Sequence, residues 1–236
     1  IAAYTPKGKQ PWDEAVTLVL TYAEIPYDKI YDDEVISNKL VLYDWLHLHH
    51  QDYTGQYGRF WAQYANTPWY REEVANNEAA ANRLGFTKVS QLKLAVAKKI
   101  KEYVVGGGFL FAMCSAADSY DIALAAEGID ICESMFDGDP ADPAMNGKID
   151  YSKTFCFTNF TLKTNPREYE FSDIDTYFTR GMKGVNEKND YFSLFDFSAK
   201  WDPIPTMLCQ NHSNLIKGFW GQTTGFDKSK IKPGVL

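Results

Sequence analysis

The sequence is poor in the residues that most often announce a function. Its four cysteines, Cys114, Cys132, Cys156 and Cys209, are scattered over 236 residues. They form no CxxC pair and no zinc spacing, which argues against a zinc ribbon or a dithiol redox motif. With 45% hydrophobic residues the chain can supply a core of its own, so a disulfide framework is not expected. There are only four histidines, and three of them crowd into one segment, "HLHH". Basic residues never cluster beyond "KKIK" and the formal net charge is -7, which speaks against a nucleic-acid partner held by its phosphates. No apolar run approaches the ~18 residues of a membrane span, and no signal peptide is recognisable. The first residue is Ile1, inside a segment that already reads as a strand. The chain is therefore expected to lack the start of the full protein, and its compartment, cytoplasmic or exported, stays open.

What is present is an alternation of periods. "IAAY" is a short apolar strand closed by Pro6 and Gly8. "PWDEAVTLVLTYAEI" sets Val16, Val19, Leu20 and Ala23 at helical spacing, with Pro11 in the first turn and Asp13 and Glu14 facing the positive end of the helix dipole. "YDKIYDDEV" is strand-like, and "YDWLHLHH" is a stronger strand in which Trp45, His47 and His49 alternate with Leu46, Leu48 and His50. After the loop "QDYTGQYGRFWAQYANTP" come two helical stretches. The second, "VSQLKLAVAKKIKEYV", has Leu92, Val96, Ile100 and Tyr103 on one face and lysines on the other. Gly106 to Gly108 end it and lead into the strand "FLFAM".

The resulting order, β-α-β-α-β-loop-α-α-β-α, predicts a parallel sheet with helices on both faces. In such sheets the functional crevice lies beyond the carboxyl ends of the strands. "YTPKG", "HHQDYTG" and "CSAADSYD" all fall at that edge. The second half turns strand-rich, in "KTFCFTNFTL", "REYEFSDIDTYF" and "DYFSLFDFSAKW". The expectation is one α/β domain over 1–236, with about 151–205 as a β-rich elaboration.

Three blocks carry a resemblance: "YDWLHLHHQDYTGQYG", "GGGFLFAMCSAADSYDIALAAEGIDICESMFDGDPADP" and "FSAKWDPIPTMLCQNH". With the β/α order, they resemble the class I glutamine amidotransferase-like superfamily and its ThuA-like (trehalose-utilisation) relatives. Over nearly the whole chain they are similar to a bacterial family often labelled "asparagine synthetase B". The N-terminal nucleophilic Cys and SGGxDS loop of a true asparagine synthetase are not visible. The resemblance implies a flavodoxin-like three-layer sandwich with a parallel sheet, and a cysteine nucleophile at a strand-to-helix elbow. It also implies a further segment beyond Leu236, where a catalytic base could lie.

Cys114 is the candidate nucleophile. The family elbow reads G-x-C-x-G; here it is Ala112-Met113-Cys114-Ser115-Ala116, with no flanking glycine. Helix N–H groups and the dipole would favour a thiolate at this place, and the N–H groups near Ser115 would receive an oxyanion. Against this stands the ordinary fate of a free cysteine, a small buried hydrophobe. The family base comes from H-x-E late in the domain, whereas His212 is followed two residues on by Asn214. His49 and His50 are the alternatives. Asp52, Tyr53 and Asp118 complete the candidate ligand-binding set.

A metal on His47, His49 and Asp52 is the lesser reading of "HLHHQD", and a Ca²⁺ loop on Asp137, Asp139 and Asp142 is less favoured than a solvated acidic turn. No resident metal or other cofactor is expected. The glycines of "GGG" precede a strand rather than follow one, so they are not a phosphate loop. The aromatic loop "YTGQYGRFWAQYANTPWY" keeps a second function open: a non-catalytic module binding a carbohydrate or other small polar ligand. The expected partner is thus a small molecule, amide or carbohydrate, and self-association stays open.

Overall fold

The computed structural model describes residues 1–6, 15–175, 191–193, 215–217 and 226–234. The chain divides into two compact units. The first comprises Ile1–Gly8, Asp28–Ile174 and Asp227–Leu236.

Its centre is a four-stranded sheet of β1 (Ala2–Tyr4), β2 (Asp28–Ile30), β3 (Trp45–Leu48) and β4 (Phe109–Ala112). The strand order is β2-β1-β3-β4, and every pairing is parallel. This is an α/β fold of the expected class, compatible with a flavodoxin-like sandwich. The period of two in β3 decides which way each side chain points. Leu46 and Leu48 are fully buried and join Ala2, Tyr4 and Ile30 in one cluster, while Trp45 is exposed against Phe109. The same cluster takes Val35, Leu92, Val96, Ile100, Ala116 and Tyr120 from the helices.

Those helices are α2 (Asp32–Ile36), α3 (Trp61–Tyr64), α4 (Pro68–Arg83), α5 (Val89–Val105), α6 (Ser115–Ala125) and α7 (Ser134–Asp137). The strand-like reading of "YDKIYDDEV" holds only for Asp28–Ile30; the acids that follow start α2. Asp32, Asp33 and Glu34 fill its first turn, and the Glu34 carboxylate accepts the Tyr31 N–H at 3.1 Å. Carboxylates there offset the unpaired N–H groups and the dipole, so the run is worth more as a helix start than as a strand.

Helix α5 buries the expected face, since Leu92, Val96 and Ile100 are wholly inaccessible. Its lysines are not all on the other side: Lys93 is only 3% exposed. Its ammonium donates to Asp32 Oδ1 (3.0 Å) and Oδ2 (2.8 Å) and to the hydroxyls of Tyr4 and Tyr31 (3.2 Å each). Gly107, at φ 104, makes the turn out of α5 into β4.

Helix α6 is buried on nearly all sides. Tyr120 and Leu124 enter the first cluster, while Ile122 and Ala125 enter a second one with Phe157, Phe160, Leu162, Phe171 and Ile174. Asp121 fixes this second contact, accepting the N–H groups of Phe155 (2.8 Å), Cys156 (2.7 Å) and Phe157 (2.9 Å). Between 151 and 175 the described chain forms isolated bridges, such as Leu162 with Ser172, in place of continuous strands.

The second unit comprises Lys9–Tyr27 and Asp175–Phe226. Its described part contains α1 (Ala15–Tyr22) and an antiparallel pair, β5 (Tyr191–Ser193) with β6 (Leu215–Lys217). No described helix is long and apolar enough to cross a membrane.

Candidate functional site

Because all four strands are parallel, their carboxyl ends share one edge, and the next residue of each chain segment lies there. Cys114 follows β4 by one residue, Met113, and is the N-cap of α6. Its backbone sits at φ 57, ψ -146, a region close to one that glycine alone visits freely. The thiol is exposed. Between Phe109 and Ala125 it is the one residue with positive φ. This explains why the elbow forms without flanking glycines. The left-handed turn is made by the cysteine itself, and its neighbours keep ordinary angles that alanine and serine adopt. Ala116, fully buried at the helix start, needs to be small rather than conformationally free.

The loop after β3 is stitched to this elbow. Met113 N–H donates to Leu48 O (3.2 Å), Ala116 N–H to His49 O (3.2 Å), the Ser115 hydroxyl to His50 O (2.9 Å) and the Ser119 hydroxyl to Gln51 O (3.2 Å). Tyr53 N–H in turn donates to the Ser119 hydroxyl at 3.3 Å. His49 and His50 therefore stand on backbone that is bonded directly to the first turn of α6. Their Nδ1 atoms lie 3.0 Å apart, one donating to the other, with the rings edge to face. His50 is exposed and His49 half-buried. Among the described residues no group hydrogen-bonds the Cys114 sulfur.

The remaining candidates have structural employment. The Asp52 carboxylate accepts Thr54 N–H (2.6 Å), the Thr54 hydroxyl (2.7 Å) and Gly58 N–H (3.0 Å), which closes the loop on itself. Tyr53 is fully buried, its ring 5.4 Å from that of Tyr4 and 5.7 Å from that of Tyr120. Asp118 is buried in α6. His212 and Cys209 lie outside the described residues. Cys132 and Cys156 differ from Cys114. Burial, reinforced by Asp137 and Asp52, pushes the Cys132 thiol far up, and burial with Asp121 pushes Cys156 up to about 11. Both are protonated, unreactive thiols at neutral pH.

His47, His49 and Asp52 do not gather as metal ligands. Among the described residues the one group with suitable spacing is Asp130, Cys132 and Asp137, their ligand atoms within 4.8 Å of one another. A lysine already occupies this neighbourhood, since Lys88 Nζ lies 2.9 Å from Asp130, 2.9 Å from Asp137 and 2.5 Å from Asp139. The Asp142 carboxylate pairs with Lys148.

Several residues at this edge gave no sequence signal of a role. Gln51 accepts the His49 N–H on Oε1 at 3.1 Å. Arg59, at φ 55 and buried, donates to Gln56 Oε1 (2.7 Å) and to the carbonyls of Lys163 (3.2 Å), Asn165 (2.5 Å) and Glu168 (3.0 Å). The Lys93–Asp32 pair was detectable in principle, because Lys93, Ala97 and Ile100 share i, i+4, i+7 spacing on the buried side of α5. A separate aromatic patch surrounds Phe60, whose ring lies 5.9 Å from Tyr64, 5.9 Å from Trp69 and 5.5 Å from Tyr169. Trp69 and Tyr169 are each 44% exposed.

Compared with known proteins, the chain matches no family model, no curated protein and no solved structure.

Proposed function

We propose that the protein is a cysteine-dependent acyl-transfer enzyme, an amidohydrolase or amidotransferase of the class I glutamine amidotransferase-like kind. Its scaffold is then a flavodoxin-like three-layer sandwich with a β-rich C-terminal elaboration. The observation that carries the reading is the backbone of Cys114. An exposed cysteine held at φ 57, ψ -146 between a strand and a helix supports it, because a nucleophile elbow calls for a sharp, strained strand-to-helix turn with the nucleophile exposed at its tip. Such strain costs on the order of 1–3 kcal/mol and persists where surrounding structure imposes it.

In this mechanism Cys114 Sγ attacks the carbonyl carbon of an amide or ester. The Ser115 N–H, first in α6 and without an acceptor inside the helix, receives the developing oxyanion. His49 or His50 takes the thiol proton and passes it to the leaving group, and water then releases the acyl group from the thioester. The test is the alkylation rate of Cys114 by iodoacetamide against pH, followed on the Cys114 peptide by mass spectrometry. Burial of Cys132, and the raised pKa of the half-buried Cys156, keep their labelling slow in the native protein. Fast labelling at about pH 6.5, where a free thiol of pKa ~8.5 is protonated, is the expected result. A rate that rises only in step with an ordinary thiol would retire the nucleophile. Given a substrate from a screen of amides and esters, Cys114→Ala removes turnover.

A second reading rests on the exposed aromatic patch: a ThuA-like module that binds a carbohydrate on Trp69 and its neighbours. It expects ligand binding that survives Cys114→Ala and weakens on Trp69→Ala.

A further inference from the structure

Neighbouring residues of a straight strand send their side chains to opposite faces, so in extended chain His49 and His50 would point apart. They meet because β3 ends at Leu48 and the chain bends at His50. Their Nδ1 atoms lie 3.0 Å apart, with the rings edge to face and the ring centres separated by 4.7 Å. One proton thus bridges two nitrogens, each of which is a metal ligand once that proton has moved to Nε2.

The separation says which ion fits. Nitrogens about 2.1 Å from a common metal are about 3.0 Å apart when the angle between them is near 90°, and about 3.4 Å apart at the tetrahedral angle. The observed spacing suits neighbouring corners of a square-planar or octahedral ion better than two corners of a tetrahedron. The ion sits beside the line joining the nitrogens, after a small turn of the rings, because half their separation is shorter than any metal–nitrogen bond.

The backbone holds the pair ready. His49 N–H donates to Gln51 Oε1 at 3.1 Å, the His49 carbonyl accepts Ala116 N–H at 3.2 Å, and the His50 carbonyl accepts the Ser115 hydroxyl at 2.9 Å. Both residues are therefore fixed against the first turn of α6 before any ion arrives, which lowers the ordering cost of chelation. Access is open, since His50 is exposed and His49 half-buried. The group of Asp130, Cys132 and Asp137 is the poorer site: its cysteine is fully buried, and Lys88 already lies among its acids.

We propose that His49 and His50 chelate a divalent cation of the Ni²⁺ or Cu²⁺ kind through their two Nδ1 atoms, with water filling its other positions. Two protein ligands at an exposed edge make this an exchangeable site, not a structural one. It goes beyond the Cys114 reading and stands without it, because no thiolate takes part.

The probe is Ni²⁺ alone, which does not oxidise the exposed thiol as Cu²⁺ would. It is titrated calorimetrically into the tag-free full chain at about pH 7.5, where free imidazoles are neutral. His49→Ala, His50→Ala and Cys114→Ala are titrated alongside, circular dichroism checks their folding, and X-ray absorption at the nickel edge counts bound imidazoles. The expected result is one ion per chain with two imidazoles, bound about tenfold or more weakly by either histidine variant and with unchanged affinity by Cys114→Ala. Should His49→Ala fail to fold, the exposed His50 decides by itself. The proposal is overturned if the parent shows no saturable binding, or if a folded histidine variant loses less than that factor. Loss of binding in Cys114→Ala also overturns it, by moving the ion to the thiol. Zn²⁺ is titrated in parallel, and tighter binding of Zn²⁺ than of Ni²⁺ would overturn the choice of a right-angled geometry.

Discussion

A single backbone angle carries most of the functional argument, and it makes a testable statement about stability. At φ 57 a residue with a Cβ is strained, and glycine is not. Cys114→Gly should therefore leave the protein as stable or more so, by about 1 kcal/mol, once the larger unfolded-state entropy of glycine is deducted. Urea midpoints of the parent and the variant measure this. A clear loss of stability would mean that the cysteine side chain, and not its backbone, holds the turn. The absence of glycines around Cys114 looked from the sequence like a weakness of the elbow. It is compatible with one, because the unusual angle falls on the cysteine itself while Ala112, Ser115 and Ala116 keep ordinary angles. Sequence also could not reveal that Asp52 and Tyr53 are spent on the loop and the core. Both are polar-tipped residues in a polar stretch, and only the fold determines which atoms find partners.

At the scale of elements, the junction of β1, α2 and α5 is held by a buried ion pair. Lys93 and Asp32 are both withdrawn from water, with side chains 4% and 0% exposed. Tyr4 also donates to Asp32, and the Lys93 ammonium lies 4.5 Å from the centre of the Tyr31 ring. Removing one partner strands the other charge in the core. Lys93→Met should cost about 3–5 kcal/mol, and adding Asp32→Leu to it should recover a large part of that loss. Chemical denaturation of the single and double variants decides the matter. A small effect of Lys93→Met would show that water reaches Asp32. The order of elements was readable from the change between a period of two and a period near 3.6. The boundary between β2 and α2 was not, because "YDDEV" suits either state until the helix finds its cap. The strand-rich look of "KTFCFTNFTL" and of "REYEFSDID" reflects aromatic and β-branched content, and over these described residues the chain forms isolated bridges that Asp121 and Arg59 tie down.

For the molecule as a whole, buried phenols predict how stability depends on pH. Burial raises Tyr4, Tyr31, Tyr53 and Tyr120 above the ordinary tyrosine range, with Asp32 adding to the first three and Asp121 to the last. Burial lowers the Lys93 ammonium, but Asp32 and Tyr31 more than compensate and hold it above the lysine range. Each of these groups keeps its proton in the folded state at pH values where the unfolded chain has released it. Their contribution is complete below the unfolded values of about 10 and is lost as pH climbs through the folded ones. Unfolding free energy should thus fall steeply above about pH 10. Denaturation midpoints between pH 8 and 11 should show this, together with a second rise of tyrosinate absorbance, beyond that of the exposed tyrosines, that appears only as the protein unfolds. Ionisation of every tyrosine while the protein is still native would show that the four phenols are not sequestered.

The division between sequence and structure has a physical basis. Hydrophobic periodicity and turn residues act over a few neighbours, so the sequence by itself determined the alternating α/β order and the parallel sheet. Which polar atoms at the carboxyl edge of that sheet are satisfied depends on contacts between residues such as His49 and Ala116, or Gln51 and Ser119, that are more than sixty positions apart along the chain. No local pattern encodes those contacts. Only the tertiary structure could decide that Asp52 is consumed and that Lys93 is buried.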